Sequence, residues 1–221
     1  MNIDDKIELR FYQVLKHQMS IQDFETWVYN SKELEQNLPE DLYLDLISLN
    51  YKSKYALNDL TKLIEQYVDY GKFEIKKIQE ILESIIQRDE KCAESIEMTY
   101  DLYCKGYIFL QKLGLNYGLL VSCPPAGNYQ KNWNEISDKE QKELLDKLYP
   151  NIIIDAKNAL KWFEKRKIII KNTVDELGNY EYDDFRTEQE KKQGEIEIIN
   201  LDIENENNAQ GFWSKLMNRF K

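Results

Sequence analysis

The sequence predicts a mostly α-helical protein, a bundle of antiparallel helices with a small C-terminal β hairpin or three-stranded appendage. Three observations predict it. Apolar residues recur every three or four positions through the first two-thirds of the chain, helix-start signatures stand before several of those runs, and the pattern switches to β-branched and alternating residues after Lys167.

Ile3, Ile7, Phe11, Val14 and Leu15 share one helical face, and Asp4 and Asp5 occupy the first turn, where the helix macrodipole favours acids. Ser20 with Asp23 resembles a capping box ahead of Phe24, Trp27 and Val28. Asn37 to Pro39 opens a further helix carrying Leu42, Tyr43, Leu46 and Ile47, with proline near its first position. Leu57, Leu60, Ile64, Tyr67 and Val68 form one stripe and Phe73, Ile78, Ile81, Leu82 and Ile85 another, so a helical hairpin broken near Gly71 is expected.

A longer helix is expected from about Cys92 to Leu113, with Gly106 inside it at a cost of about 1 kcal/mol relative to alanine. From Gly114 to Trp133 the glycines and the Pro124-Pro125 pair predict a loop, in which Gly114 and Gly118 are turn glycines. Ser137 and Glu140 form a capping box before Leu144, Leu145 and Leu148. Pro150 then ends that helix or begins the next, on which Ile152, Ala156, Ala159, Leu160 and Phe163 share a face. Beyond Lys167, a β-branched run, a turn at Asp175 to Asn179 and an alternating tyrosine/acid run predict a β hairpin, with EIEIINLDIE from Glu195 as a candidate third strand. The polar stretch ENENNAQ reads as a linker and GFWSKLMNRFK as a short amphipathic basic helix with Trp213 on its apolar face. The expected organisation is a helical domain over 1–167, an acidic β-rich appendage packed on it over 168–206, and the linker and tail over 207–221.

Composition narrows the function classes. Hydrophobic residues at 42% can form a core, and charged residues at 32% solvate its surface, which is the profile of a folded soluble protein. The chain carries 40 acids against 30 bases and a formal charge of −10, opposite to what phosphate-backbone binding needs, so a nucleic-acid partner is not expected. Cys92, Cys104 and Cys123 are odd in number and lack metal-ligand spacing, which suggests a reducing, cytoplasmic setting. The charged N-terminal stretch has no signal-peptide pattern, and no run approaches about 18 consecutive apolar residues, so no membrane span is expected.

The charge is unevenly placed. Residues 175–206 hold twelve acids and three bases, the segment from 207 adds three bases and no acid, and residues 1–174 carry a net of −4. Within the acidic segment, NYEYDDFRTEQE from Asn179 to Glu190 sets tyrosines beside carboxylates. Glu181, Asp183, Asp184 and Glu188 together could hold a magnesium or calcium ion, which makes a divalent-metal hydrolase one reading. The stretch lacks an EF-hand pattern, and no histidine lies near it in sequence. A solvated hairpin face is the plain alternative. A docking surface for a basic protein is the third reading, with Tyr180, Glu181, Tyr182, Asp183, Asp184 and Glu188 as partner-binding residues: tyrosine supplies amphipathic area at low entropy cost, and acids steer a basic partner.

Other chemistry is thinly represented. Cys123 lies in the proline-containing loop, but the single histidine, His17, is far from it in sequence, so a cysteine nucleophile has no evident base. There is no glycine-rich phosphate loop and no cofactor motif. Trp27, Tyr43, Tyr67 and Trp162 stand at helical spacing and read as packing residues.

The stretch from Phe24 to Gln66, about a fifth of the chain, resembles the N-terminal part of bacterial immunity proteins, the cytoplasmic partners of polymorphic and contact-dependent toxins. The Phe24-Glu25-x-Trp27 helix, the Glu33-Leu34-Glu35 turn, and the helix from Asp41-Leu42-Tyr43 to Asn50-Tyr51 carry the resemblance. It implies a non-enzymatic inhibitor that binds a cognate toxin and occludes its active site or an essential surface. It implies no catalytic residues and no cofactor, and it transfers no contact residues. A scaffold protein that uses the Trp213 tail as its contact is the remaining alternative.

Overall fold

In the computed structural model the described residues are 3–126, 129–130 and 132–195, and they contain eleven α-helices and two short antiparallel hairpins. The mostly helical class with a small β hairpin near the C-terminus, expected from the sequence, is the fold observed. The candidate third strand, the linker and the Trp213 tail lie outside the described residues.

The chain divides into two compact units, Met1–Phe73 and Glu74–Lys221. The boundary falls inside the 1–167 stretch that the sequence places in one helical domain. Helical stripes reveal that a face is buried but not which neighbour buries it, and here they sort into two separate hydrophobic clusters.

In the first unit, α1 (Asp5–Leu15) starts on Asp4, whose carboxylate accepts from the Lys6 amide, and buries Ile7, Phe11 and Val14. α2 (Ile21–Asn30) starts on Ser20, whose hydroxyl accepts from the Asp23 amide at 3.0 Å. The Glu33-Leu34-Glu35 stretch is a short helix, α3 (Glu33–Asn37), rather than a turn, with Leu34 buried. α4 (Glu40–Ser48) follows Pro39 and ends before Asn50 and Tyr51, while α5 (Ala56–Ile64) runs into a 3₁₀ turn over Glu65–Tyr67. Phe11, Phe24 and Trp27 pack ring against ring at the centre of this unit.

α6 (Tyr70–Gln87) contains Gly71 in its first turn, so the break expected there falls earlier, at Val68 and Asp69. The physical cause is capping. The Asp69 carboxylate accepts from the Lys72 amide at 3.0 Å, and the buried Glu8 carboxylate takes the Asp69 amide at 2.8 Å and the Lys72 ammonium at 2.7 Å.

In the second unit, α6 contributes Ile78, Ile81, Leu82 and Ile85 to the core. α7 (Cys92–Cys104) is shorter than the expected helix because Gly106 closes it: with φ +96°, Gly106 donates to the Tyr103 carbonyl and Tyr107 to that of Leu102. A 3₁₀ turn over Ile108–Leu110 follows.

The expected loop at Gly114 is instead a buried π-helix over Leu113–Gly118, continued by α8 (Leu119–Ser122) and packed on α7. Gly114 and Gly118 are contact glycines rather than turn glycines. A Cβ on Gly114 would lie 2.8 Å from the Tyr103 Cβ, and one on Gly118 would lie 2.8 Å from the Ile96 carbonyl oxygen. Only glycine lets the two helical backbones approach so closely. The loop character begins after Ser122, where β1 (Pro125–Ala126) pairs with β2 (Tyr129–Gln130).

α9 (Asp138–Leu148) carries the predicted Ser137–Glu140 capping box. α10 (Asn151–Glu164), capped at Pro150, buries Ile152, Ala156, Ala159, Trp162 and Phe163. The predicted hairpin follows as β3 (Ile168–Val174) and β4 (Tyr180–Asp184), antiparallel, with Ile168 opposite Asp184, Ile169 opposite Asp183 and Ile170 opposite Tyr182. Two strands alone are marginal in water. Burial of Ile168 and Ile170 in the core of this unit, about 2 kcal/mol each, anchors them.

Candidate partner-binding hairpin

Asp175 makes the hairpin turn. Its backbone pairs with Asn179, and its carboxylate accepts from the amides of Leu177 and Asn179, each at 2.9 Å, while Gly178 takes φ +80°. Those bonds, led by the Asn179 amide, hold the Asp175 carboxyl below its ordinary pKa.

Strand alternation then sorts the five sequence-predicted residues of β4 onto two faces, and Glu188 follows on a short helix. Tyr182 points inward and makes edge contacts with Phe109 at 5.1 Å and Tyr107 at 6.0 Å between ring centroids. Burial pushes its phenol pKa up. Tyr180 is half-buried against the same core. Asp184 also faces inward, toward Arg186. Glu181 is exposed and accepts from the Thr173 hydroxyl at 2.6 Å, and Asp183 pairs with Lys171 at 2.6 Å, a contact that raises the lysine pKa. Glu188 starts a short helix, α11 (Glu188–Gln193), and pairs with Lys191 at 3.1 Å. The hairpin therefore presents Glu181, Asp183 and Glu188 outward and uses Tyr182 and Asp184 as packing residues.

Arg186 was not singled out by the sequence and is the centre of the inner face. Its guanidinium takes the Asp184 carboxylate through Nε at 3.0 Å and Nη2 at 2.8 Å, and lies over the Trp162 ring at 4.5 Å. Burial by itself would raise the Asp184 pKa, but the Arg186 hydrogen bonds and charge outweigh it and the net shift is downward. Thr187 and Glu190 form a second unread feature, a capping box for α11 in which Glu190 also meets Lys167 at 3.5 Å. The Thr187-x-x-Glu190 spacing was the available signal for that helix. The hydrogen bond from the Thr187 amide, foremost, holds the Glu190 carboxyl below its ordinary pKa.

The carboxylates thus turn to separate lysines, an arginine and a threonine. Among the described residues no group of three or more His, Cys, Asp or Glu side chains is placed to hold a metal ion. Of the eight acids in residues 175–195, Asp183, Asp184, Glu188 and Glu190 sit in ion pairs. The hairpin adds apolar exposure to this charge: Leu177 at the turn is 85% exposed and Phe185, just past β4, is 57% exposed, with Ile169 and Val174 also open to solvent. Such a mixture of rigid apolar area and outward carboxylates suits contact with a protein surface.

Other candidates are placed as follows. Cys123 is partly buried after α8, and His17 is an exposed residue of the first unit just beyond α1. Near Trp162, a cavity of about 10 Å³ has room for a single water. It adjoins a buried cluster in which Asp155 pairs with Lys112 at 3.2 Å and accepts from the Tyr117 hydroxyl at 2.7 Å. No helix among the described residues is long and apolar enough to cross a membrane.

Comparison with known proteins finds no matching family model, no matching curated protein and no matching solved structure.

Proposed function

We propose that the protein is a non-enzymatic inhibitor of the immunity-protein kind, acting in the cytoplasm on a cognate, basic toxin. The observation that carries this reading is the exposed surface of the hairpin, with Leu177 at its turn, Phe185 just past the end of β4 and Glu181 and Asp183 turned outward between them, on a scaffold anchored by Ile168, Ile170 and Tyr182. The resemblance of residues 24–66 to immunity proteins supports the same reading. Inhibition proceeds by occlusion: the net negative charge draws a basic toxin in, apolar contacts hold it, and outward carboxylates fill positions that substrate phosphates would take.

Neutralisation is the test. The protein is co-produced with a toxin encoded beside it, and both survival of the cells and inhibition of the purified toxin are measured. Protection that persists in wild type and falls in Leu177→Asp and Phe185→Asp, with folding retained, is the expected outcome. An uninhibited toxin at stoichiometric excess of the protein sinks the reading.

A further inference from the structure

A second face, in the first unit, carries negative charge that is unpaired, whereas half of the acids in residues 175–195 sit in ion pairs. Residues 20–50 contain seven acids and one base. None of the seven joins an ion pair among the described residues. On α4 the solvent side reads Glu40, Asp41, Leu44, Asp45 and Ser48, all exposed, with Leu44 at 48%.

Aromatic surface continues this face onto α2. Tyr29 is 56% exposed, yet its hydroxyl donates to the Ile47 carbonyl at 3.3 Å and its ring meets Tyr51 edge-on at 6.3 Å. Ile47 lies one turn beyond Leu44, and Glu25 lies one turn before Tyr29. Burial pushes the Tyr51 phenol pKa up, and the one-turn spacing on α2 sets Glu25 on the same helix face as Tyr29. A pinned tyrosine and an exposed leucine therefore stand between carboxylates on two adjoining helices.

We propose that this α2–α4 face is a docking surface for a Lys/Arg-rich segment of a partner protein. The proposal rests on the protein-binding reading above and adds a second contact to it, distinct from the hairpin. Charge complementarity selects the occupant. A second copy of this chain would bring like charge against like, and nucleic acid or an anionic bilayer would be repelled in the same way, whereas a basic segment finds free carboxylates and a tyrosine face that accepts cations. Exposed pairs contribute little singly, so the apolar contacts at Leu44 and Tyr29 supply the holding area and the acids supply steering.

The test uses the full chain, isotope-labelled for NMR, titrated with a short lysine peptide containing one tryptophan. The expected result is shift changes at Glu25, Tyr29, Leu44 and Asp45 that fade with salt, and roughly tenfold weaker binding for the combined Glu40→Gln, Asp41→Asn, Asp45→Asn variant with an unchanged spectrum of the second unit. Shift changes confined to residues 169–185 overturn the proposal while leaving the inhibitor reading in place, and an absence of any shift change overturns it as well. If deletion of residues 207–221 moves the same α2–α4 signals without peptide, the occupant is the chain's own tail and the partner assignment falls.

Discussion

Arg186 and Trp162 are in face contact, with the guanidinium carbon 4.5 Å from the ring centroid and the Asp184 carboxylate gripping the same guanidinium from its edge. Arg186 is buried, so truncating it leaves Asp184 without its partner and uncovers the indole. Arg186→Ala is expected to lower stability by about 2 to 4 kcal/mol, and Arg186→Lys by a large part of that because an ammonium has no planar fork. Urea unfolding of both variants checks this; equal stability of Arg186→Ala and wild type refutes it.

Asp184 sets an acid dependence. Its folded-state pKa is depressed, so its stabilisation is fully present above the ordinary carboxylate value of about 3.9 and is lost as pH falls through the lower folded value. The stability gap between wild type and Asp184→Asn should be constant near neutrality and close only in acid, below about pH 4. A gap that closed between pH 5 and 7 would point to a different group.

Gly118 faces three atoms of α7 at a distance no Cβ tolerates: the Ile96 carbonyl oxygen, the Thr99 hydroxyl and the Tyr100 amide nitrogen, two of which are backbone and cannot rotate away. Gly118→Ala should cost about 2 kcal/mol or more, and Gly114→Ala a similar amount, against the stabilisation that Gly→Ala brings in an uncrowded helix. Thermal melting with the sign of the change as readout distinguishes contact glycines from turn glycines.

Tyr182 and Glu181 are neighbours with opposite roles. Removing the Tyr182 ring from Phe109 and Tyr107 should cost about 2 to 3 kcal/mol in Tyr182→Phe→Ala comparison, with most of the loss at the second step, whereas Glu181→Gln should stay within about 0.5 kcal/mol. If Glu181→Gln is instead the more destabilising change, the face assignment of β4 is wrong.

The three thiols should separate by access. Cys104 is exposed, Cys123 partly buried and Cys92 buried, with burial also raising the Cys92 pKa. Alkylation under native conditions at mild alkaline pH, followed by peptide mapping, should mark Cys104 first and Cys92 only after denaturation.

Much of the fold was readable because it depends on interactions a few residues long. Ser20, Ser137 and the Asp175 to Asn179 turn were legible since a cap or a turn is made within three or four residues of itself. The three-residue spacing from Thr187 to Glu190 is equally local, but it lies inside a run of acids whose charge masks the capping pattern. Gly114 and Gly118 were misread because their meaning lies in α7, which the surrounding glycines and prolines give no hint of. The charge map shows the same limit: the net of −4 over residues 1–174 averages the acids of α2 to α4 against bases elsewhere.

By itself, then, the sequence determined the helical class, most helix starts, the hairpin and its turn, since periodicity and capping are short-range. The tertiary structure decided what local pattern cannot carry: two hydrophobic clusters rather than one, Tyr182 and Asp184 turned inward, Arg186 over Trp162, and which carboxylates are already paired. Most of those depend on side chains distant in sequence meeting across a packed interface, and an ion pair changes what an acid can offer a partner only once that meeting is known.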